Sequence, residues 1–185
     1  MMRDIALAML LAAAPALFRP VHAQTLDDYV GAFVGEAVVS DPLTGQTSLR
    51  DMDIVFSRPA RTDLHIEWVN VDLVDGRRNL PGVKRRTGAL DLEKSGNGGY
   101  LRERRAYNPF KERDEIAPIA GDPVRWGYLD AEGLRVFSFV ILDDGRYELQ
   151  THVRSLEGDR LNLEFERIVD GVVERTIEGR AQRAD

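Results

Sequence analysis

The stretch that decides the fold of this chain runs from Leu134 to Arg183 and reads LRVFSFVILDDGRYELQTHVRSLEGDRLNLEFERIVDGVVERTIEGRAQR. Four runs of alternating apolar and polar residues are separated at residues 144–145, 157–159 and 170–171 by Asp-Gly, Glu-Gly-Asp and Asp-Gly, which are typical turn sequences. Because these turns are so short, each run must pair with the next as antiparallel strands. A sheet of this kind either exposes an edge or closes on itself. The stretch therefore predicts an antiparallel β-meander and favours a closed barrel.

Shorter runs of the same kind precede this stretch. Leu64, Ile66 and Trp68 share one face of such a run, which is typical of a strand with one buried side. The predicted strands before the long loop cover residues 33–40, 51–56, 64–68, 87–94 and 100–107. With a strand that starts at Trp126, they predict an all-β fold, an up-and-down meander of about nine or ten strands closed into a barrel.

Two short helical segments are also predicted. Leu26–Val30 can form one turn before the first strand, since Thr25 is a suitable N-cap and two aspartates follow in the first turn. The second is a short helix at Pro109–Ile116, inside the long connection Asn108–Gly133. A connection of this length in a tight meander is usually a lid, a cover or a binding loop, and a plug for one barrel end is the alternative.

The first residues have the pattern of an export signal. Arg3 precedes an almost wholly apolar stretch, Ile5–Phe18, and Val-His-Ala at residues 21–23 places small residues where signal peptidase needs them. The apolar stretch is too short to cross a bilayer comfortably. We therefore expect a cleaved signal peptide at residues 1–23 and a single β-barrel domain at residues 24–185. The mature chain is expected to lack a transmembrane segment and to be periplasmic or secreted.

The composition restricts the kinds of partner. The chain carries 25 Lys and Arg against 31 Asp and Glu, a formal net charge of −6. Such a charge repels nucleic acid and anionic membranes, so neither is an expected partner. The sequence contains no cysteine, so the apolar core has to stabilise the exported domain without disulfides.

Residues with catalytic or metal-binding potential are few. His65 and His152 are the only histidines after the predicted signal peptide, and no Gly-x-Ser-x-Gly elbow occurs, so a nucleophilic triad is not expected. Both histidines are expected to be solvated. Asp51 and Asp53 share a strand face, but carboxylates that alternate with apolar residues are typical of a solvent-facing side. We therefore predict no catalytic residue, no metal site and no cofactor.

Arginine is abundant for an acidic chain. Lys-Arg-Arg at residues 84–86 precedes one strand, and three arginines within residues 102–105 lie in its predicted partner. If the two groups lie together, their guanidinium groups could grip a carboxylate or phosphate head group. An exterior ladder of ion pairs with neighbouring glutamates is the alternative.

A second candidate site surrounds the long loop, where aromatic residues accompany a cation at its entrance and exit. Aromatic residues with a cation at a barrel mouth suit an amphiphile with a charged head, although they could equally be the packing of a plug. Together with Trp68 on its predicted strand, the candidate ligand-binding residues are Trp68, Arg105, Tyr107, Phe110, Arg125, Trp126 and Tyr128.

Residues 29–183, with a short N-terminal turn followed by a meander of long strands, resemble the lipocalin and calycin superfamily. Residues 31–33 read Gly-Ala-Phe, a Gly-x-aromatic motif at the first strand, and the last strand carries Arg175, with Arg183 after it. Lipocalins usually have Trp in place of this Phe, and many have disulfides, so the similarity is to the broader calycin group. The segment 126–171 also resembles small exported bacterial proteins of unassigned function. These resemblances imply a calycin-like barrel and no particular activity.

Three classes of function follow. A periplasmic lipocalin-like barrel could bind a hydrophobic or amphipathic small molecule, such as a lipid-like compound. A barrel filled by its own side chains would instead suit a non-catalytic interaction or structural protein of the cell envelope, with an envelope protein as partner. An isomerase or cyclase that uses carboxylates inside the barrel is the least favoured. A cavity of roughly a few hundred Å³ or more favours binding, and a packed interior favours the structural protein.

Overall fold

The computed structural model describes residues 24–96, 98–105 and 116–184. The predicted signal peptide, the candidate site residues Tyr107 and Phe110, and all but the last residue of the predicted helix at Pro109–Ile116 lie outside the described residues. The elements are α1 (Leu26–Tyr29), β1 (Gly31–Asp41), β2 (Gln46–Ser57), β3 (Leu64–Asp72), β4 (Lys84–Lys94), β5 (Tyr100–Glu103), a 3₁₀ turn (Pro118–Ala120), β6 (Val124–Asp130), β7 (Gly133–Ile141), β8 (Tyr147–Glu157), β9 (Arg160–Val169) and β10 (Val172–Arg183).

The strands form one closed antiparallel barrel in which each strand pairs with its neighbours in sequence. The barrel closes where β1 pairs with β10, from Phe33 opposite Arg183 to Ser40 opposite Thr176. The turn between β9 and β10 is tight because Asp170 and Gly171 both adopt positive φ, 49° and 81°. The predicted all-β barrel, with its up-and-down order and its strand number, is confirmed.

Half of the barrel interior is a packed apolar core, at the end where α1 lies. We call this the capped end, and the opposite end, with the β1–β2 and β7–β8 turns, the open end. Leu26 and Tyr29 of α1 are buried in this core, so the helical turn predicted from the sequence acts as a lid. The core consists of Leu26, Tyr29, Phe33, Ile54, Phe56, Leu64, Ile66, Leu90, Leu92, Leu101, Leu134, Val136, Leu161 and Ala181.

The junction of β1 and β10 at the capped end is closed by an arginine. The Cζ atom of Arg183 lies 4.6 Å from the centroid of the Phe33 ring. Its guanidinium also donates hydrogen bonds to the carbonyl oxygens of Asp28 (2.7 Å) and Val30 (2.5 Å). Gly31 has φ 140°, and a Cβ atom there would collide with Arg183. The aromatic residue and one of the two arginines on which the calycin resemblance rests are therefore in direct contact.

The strand register shows which face of β8 points inward. His152 is paired with Val136 of β7 and Phe165 of β9, and Val136 belongs to the buried core. The inward-pointing residues of β8 are Glu148, Gln150, His152 and Arg154. The strand pattern predicts a solvated His152, and this prediction is wrong. Alternation divides a strand into two faces, but the register with neighbouring strands decides which face is inside.

Candidate functional site

The open half of the barrel contains a cavity of 260 Å³. This volume is close to the lower end of small-molecule sites, which span roughly 300–1,000 Å³. Polar side chains converge on the cavity from β2, β3, β4, β8 and β10, and the rest of its wall is apolar. The apolar lining consists of Met52, Ile54, Trp68, Val153, Leu163, Phe165 and Ile177.

Trp68 lies on the cavity wall because its partner on β4 is a glycine. Trp68 is paired with Gly88 in the sheet, and a Cβ atom on Gly88 would overlap the indole ring. The ring therefore lies flat against β4, between the packed core and the cavity. Of the candidate ligand-binding residues that the structure describes, Trp68 is the one that lines this cavity.

Arg154 lies at the floor of the cavity, where the packed core begins. It is paired with Leu134 on one side and Leu163 on the other, and only 6% of its surface is exposed. Its Nε and Nη1 atoms are buried and have no hydrogen-bond partner among the described residues. Burial lowers the pKa of Arg154 to about 10, so the guanidinium is still charged at neutral pH. A buried charge without a counter-charge is strongly unfavourable, which makes Arg154 the most unusual group of the barrel.

His152 is the next inward-facing residue on β8 toward the open end. Its ring centroid lies 4.7 Å from that of Phe165, and the ring lines the cavity. Burial, with a smaller contribution from the charge of Arg154, lowers the pKa of His152 to about 3. The imidazole is therefore neutral at neutral pH, with one nitrogen that donates and one that accepts a hydrogen bond.

The rim of the cavity is cationic. Arg50 is only 7% exposed, and its Nε atom lies 2.7 Å from Oδ1 of Asp72. Nη1 of Arg86 lies 2.8 Å from Oδ2 of the same carboxylate. Arg175, which is exposed, adds a further guanidinium at the rim. Glu164 of β9 also borders the cavity. Three arginines therefore face two carboxylates at the rim, those of Asp72 and Glu164, and the remaining positive charge favours the approach of an anion.

Glu148 is a second buried ionic side chain on β8, and unlike Arg154 it has hydrogen-bond partners. The carboxylate of Glu148 accepts hydrogen bonds from Arg167 Nε (2.8 Å) and Gln150 Nε2 (2.5 Å). Arg167 also contacts Glu174. The fold therefore does provide counter-charges for buried ionic side chains in this part of the barrel.

Arg105 and Arg125 lie together but do not line the cavity. Both contact Glu103, with Arg105 Nε 3.2 Å and Arg125 Nη1 2.7 Å from its carboxylate oxygens. Arg102 is paired with Glu93 at 2.8 Å. These arginines therefore form ion pairs with neighbouring glutamates, which is the alternative to an anion-binding site.

The two basic groups considered in the sequence do not meet. β4 pairs with β5 only at residues 92–94, whereas residues 84–86 lie at the other end of β4, opposite residues 70–72 of β3. The possibility that the two groups form one anion site does not hold, because the short β5 reaches only the capped end of β4.

Trp126 and Tyr128 lie on the outer face of β6. Their rings stack on Phe137 of β7, with centroid distances of 5.3 and 5.9 Å. Arg135 Nη1 donates to the Tyr128 hydroxyl at 3.1 Å. Tyr107 and Phe110 lie outside the described residues, so the binding role of this aromatic group stays a prediction. The structure places Trp126 and Tyr128 away from Trp68, on the opposite side of the barrel wall.

Sequence reasoning misses several residues of the site, among them Arg154, His152 and Arg50. A signal for His152 and Arg154 exists, because residues 148–154 of β8 carry a polar side chain at every second position. That signal is ambiguous, since such a face usually points to solvent. Only the register with β7 and β9 turns it inward.

Two further features of the described residues concern metal sites and membrane-spanning helices. No group of three or more His, Cys, Asp or Glu side chains that could hold a metal ion occurs among them. In the same ranges, no helix has the length and apolar character needed to cross a membrane.

A larger depression of 660 Å³ on the outside of the barrel is bordered by exposed charged residues, including Glu157, Arg160 and Arg180.

Comparison with known proteins relates this chain to others by fold alone. The sequence matches no protein-family model and no curated protein. A protein of unknown function of the DUF3598 family from Nostoc punctiforme is similar in structure, with a TM-score of 0.54 and 12% identity over 94% of this chain and 54% of that one. This chain thus spans about half the length of that protein.

An S-type phycobiliprotein lyase from Guillardia theta is also similar, with a TM-score of 0.54 and 12% identity over 86% of this chain and 90% of the lyase. At this level of identity, the likeness supports the barrel fold and does not transfer an activity.

Proposed function

We propose that this protein binds a hydrophobic or amphipathic small molecule inside its barrel, in the cavity beside Trp68, Phe165 and Ile177. The observation that supports the proposal is that the apolar core ends halfway along the barrel. The capped half is packed, whereas the open half encloses 260 Å³ with apolar walls and several inward polar groups. Protein interiors are normally filled to high density, so an unfilled half is expected where a ligand enters.

A purely structural barrel accounts less well for the open half. Such a protein would gain stability from large apolar side chains in place of Arg154 and His152, since burial of either group is unfavourable. Buried polar groups that lower the stability of a protein are typical of binding sites.

We also propose that the protein is exported to the periplasm or beyond, on the basis of the signal-like residues 1–23. In that compartment a small binding barrel would meet lipid-like molecules of the envelope. Detection of the chain in the periplasmic fraction, cleaved after Ala23, would support this location. Retention of the full-length chain in the cytoplasm would contradict it.

The ligand-binding proposal is tested with Trp68 as the reporter. The chain has two tryptophans, so Trp126→Phe leaves Trp68 as the only one. We expect 1-octanol or octanoic acid to change the emission of Trp68 with saturation, at a stoichiometry of one. Solvent extraction of the purified protein followed by mass spectrometry should release a bound apolar or amphipathic compound.

A matched pair of variants locates the binding. Ile177→Phe adds a ring to the cavity wall and should weaken the response at least about tenfold, because it removes room for the ligand. Leu49→Phe adds the same ring at an outward position that is 48% exposed and should leave the response unchanged. The proposal fails if neither compound changes the Trp68 emission and extraction releases nothing.

A further inference from the structure

We infer that the molecule bound in the cavity carries a single carboxylate group, and that Arg154 holds this group at the floor of the cavity. The inference rests on the proposed ligand-binding function and adds the chemistry of the head group and its orientation. The ligand would enter with its acid group first, and its apolar part would lie against the aromatic and aliphatic wall.

The first step of the argument is that Arg154 differs from Arg50, Arg86 and Arg167, which also point into the barrel, and from Arg175, which is exposed at the rim. Arg50 and Arg86 share the carboxylate of Asp72, and Arg167 contacts both Glu148 and Glu174. Arg154 is more buried than Arg50, yet its Nε and Nη1 atoms have no partner among the described residues. This guanidinium has no counter-charge among the described residues, and its Nε and Nη1 atoms are closed to water, so an anion in the cavity would pair with it after a small movement of the side chain.

The second step concerns the position of Arg154 in the cavity. Arg154 lines the cavity, and its neighbours in the sheet, Leu134 and Leu163, mark the boundary with the packed core. The backbone of Arg154 is held by the hydroxyl of Tyr29, which donates to its carbonyl oxygen at 2.8 Å. A charged group on a fixed backbone at the closed end of a cavity can recognise only the part of a ligand that enters first.

The third step concerns the charge of the anion. One guanidinium neutralises one negative charge, and the neighbouring His152 is uncharged at neutral pH because burial lowers its pKa to about 3. A carboxylate carries one charge and forms two parallel hydrogen bonds with a guanidinium. A phosphate monoester, with a charge of about −1.5 to −2, would leave excess negative charge buried at the floor. The site therefore favours a monocarboxylate.

The fourth step concerns the apolar part of the ligand. Trp68, Phe165 and Ile177 surround the space between the floor and the cationic rim. A volume of 260 Å³ is suited to a medium-length alkyl chain or a single aromatic ring. The excess positive charge at the rim would draw the anion toward the cavity.

The inference is tested by calorimetric titration with three compounds that share one alkyl chain, octanoic acid, 1-octanol and octyl phosphate. The wild-type protein should bind octanoic acid at least about tenfold more tightly than either of the others. Arg154→Met should remove this preference by weakening octanoic acid binding about tenfold or more, with 1-octanol binding unchanged or improved. Arg86→Met removes a cation from the rim and should weaken octanoic acid binding less than about threefold, since its side chain is 51% exposed.

The melting temperature of Arg154→Met shows whether this variant is folded. Arg154→Met should raise the melting temperature in the absence of ligand, because it removes an uncompensated buried charge.

The outcomes separate the inference from the proposed function. If octanoic acid and 1-octanol bind equally well, and Arg154→Met affects neither, the carboxylate inference is wrong and the ligand-binding function stands. Tighter binding of octyl phosphate than of octanoic acid would also overturn the inference, in favour of a phosphorylated ligand. If none of the three compounds binds and Trp68 does not respond to them, the proposed function fails together with the inference.

Discussion

The hydroxyl group of Tyr29 lies 2.8 Å from the backbone carbonyl oxygen of Arg154. It also accepts a hydrogen bond from the backbone N–H of Leu134, at 3.0 Å. The first helical turn is thereby joined to β7 and β8, at the point where the packed core meets the cavity. The cap that closes one barrel end thus also fixes the backbone of the candidate ligand-binding arginine.

Replacement of Tyr29 by Phe should lower the free energy of unfolding by about 2 kcal/mol, because it leaves a buried N–H and a buried carbonyl group without their partner. Chemical denaturation measures this change. Tyr100→Phe is the control, since that tyrosine is 59% exposed and should change stability by less than about 0.5 kcal/mol. Equal effects of the two substitutions would show that the Tyr29 hydroxyl does not stabilise the cap.

His152 should make the protein less stable in acid. Burial lowers its pKa to about 3, so below pH 6.5 the unfolded chain binds a proton that the folded chain does not. Stability should therefore fall by up to about 1.4 kcal/mol for each pH unit as the pH drops from about 6.5 toward 3. Comparison of the wild-type protein with His152→Gln over this range measures the contribution. An NMR titration in which His152 protonates near pH 6 would contradict the prediction.

His65 should have the opposite effect on the pH dependence of stability, because it stabilises the protein more in acid than in base. Its Nδ1 atom lies 2.7 Å from Asp91 and its Nε2 atom 3.1 Å from Glu67, and these hydrogen bonds raise its pKa. The protonated form is thus favoured by folding, so its contribution is fully present below about pH 6.5 and is lost as the pH rises through the raised pKa. His65→Gln should lower stability by about 0.5–1 kcal/mol near pH 5.5 and much less near pH 8.5. A pH-independent difference would contradict this assignment.

Arg183 should stabilise the junction of β1 and β10. Arg183→Met removes two charge-assisted hydrogen bonds and the contact with the Phe33 ring, and should lower the free energy of unfolding by about 2 kcal/mol. For a domain of this size, the melting temperature should fall by about 4–8 °C. Arg180→Met on the same strand is exposed and serves as the control, with little expected change. A similar loss in both variants would argue against a specific role of Arg183.

Gly88 should be required for the position of Trp68. Gly88→Ala places a methyl group where the indole ring lies, so we expect a loss of about 1–3 kcal/mol and a changed Trp68 emission in the Trp126→Phe background. Thr87→Ala, at the neighbouring exposed position, is the control. Adding Trp68→Leu should recover part of the stability lost in Gly88→Ala, as a double-mutant cycle would show. Purely additive effects would mean that the two residues do not interact.

The strands, the tight turns and the first helical turn could be predicted because their causes are local. Asp-Gly at residues 170–171 adopts the positive φ angles that a two-residue hairpin needs, and the alternation after Leu134 has the period of a strand. Even the strand number follows from counting such runs between turns. Trp68 was identifiable as an inward residue because it continues the face of Leu64 and Ile66.

The candidate site could not be predicted to the same extent because its causes are not local. His152 and Arg154 share a strand face whose composition is typical of solvent exposure, and only pairing with β7 and β9 directs that face inward. The two basic groups at residues 84–86 and 102–105 lie in adjacent strands, but their register keeps them apart.

The sequence by itself thus determined an all-β meander of short-turn hairpins, since backbone preferences and side-chain alternation act between near neighbours. Tertiary structure alone decided that the barrel closes at β1 and β10, that its core fills only the capped half, and that Arg154 faces the remaining cavity. The physical reason is that the environment of a side chain in a barrel depends on strands far away in sequence. Arg154 is unusual because the described residues that surround it contribute no counter-charge.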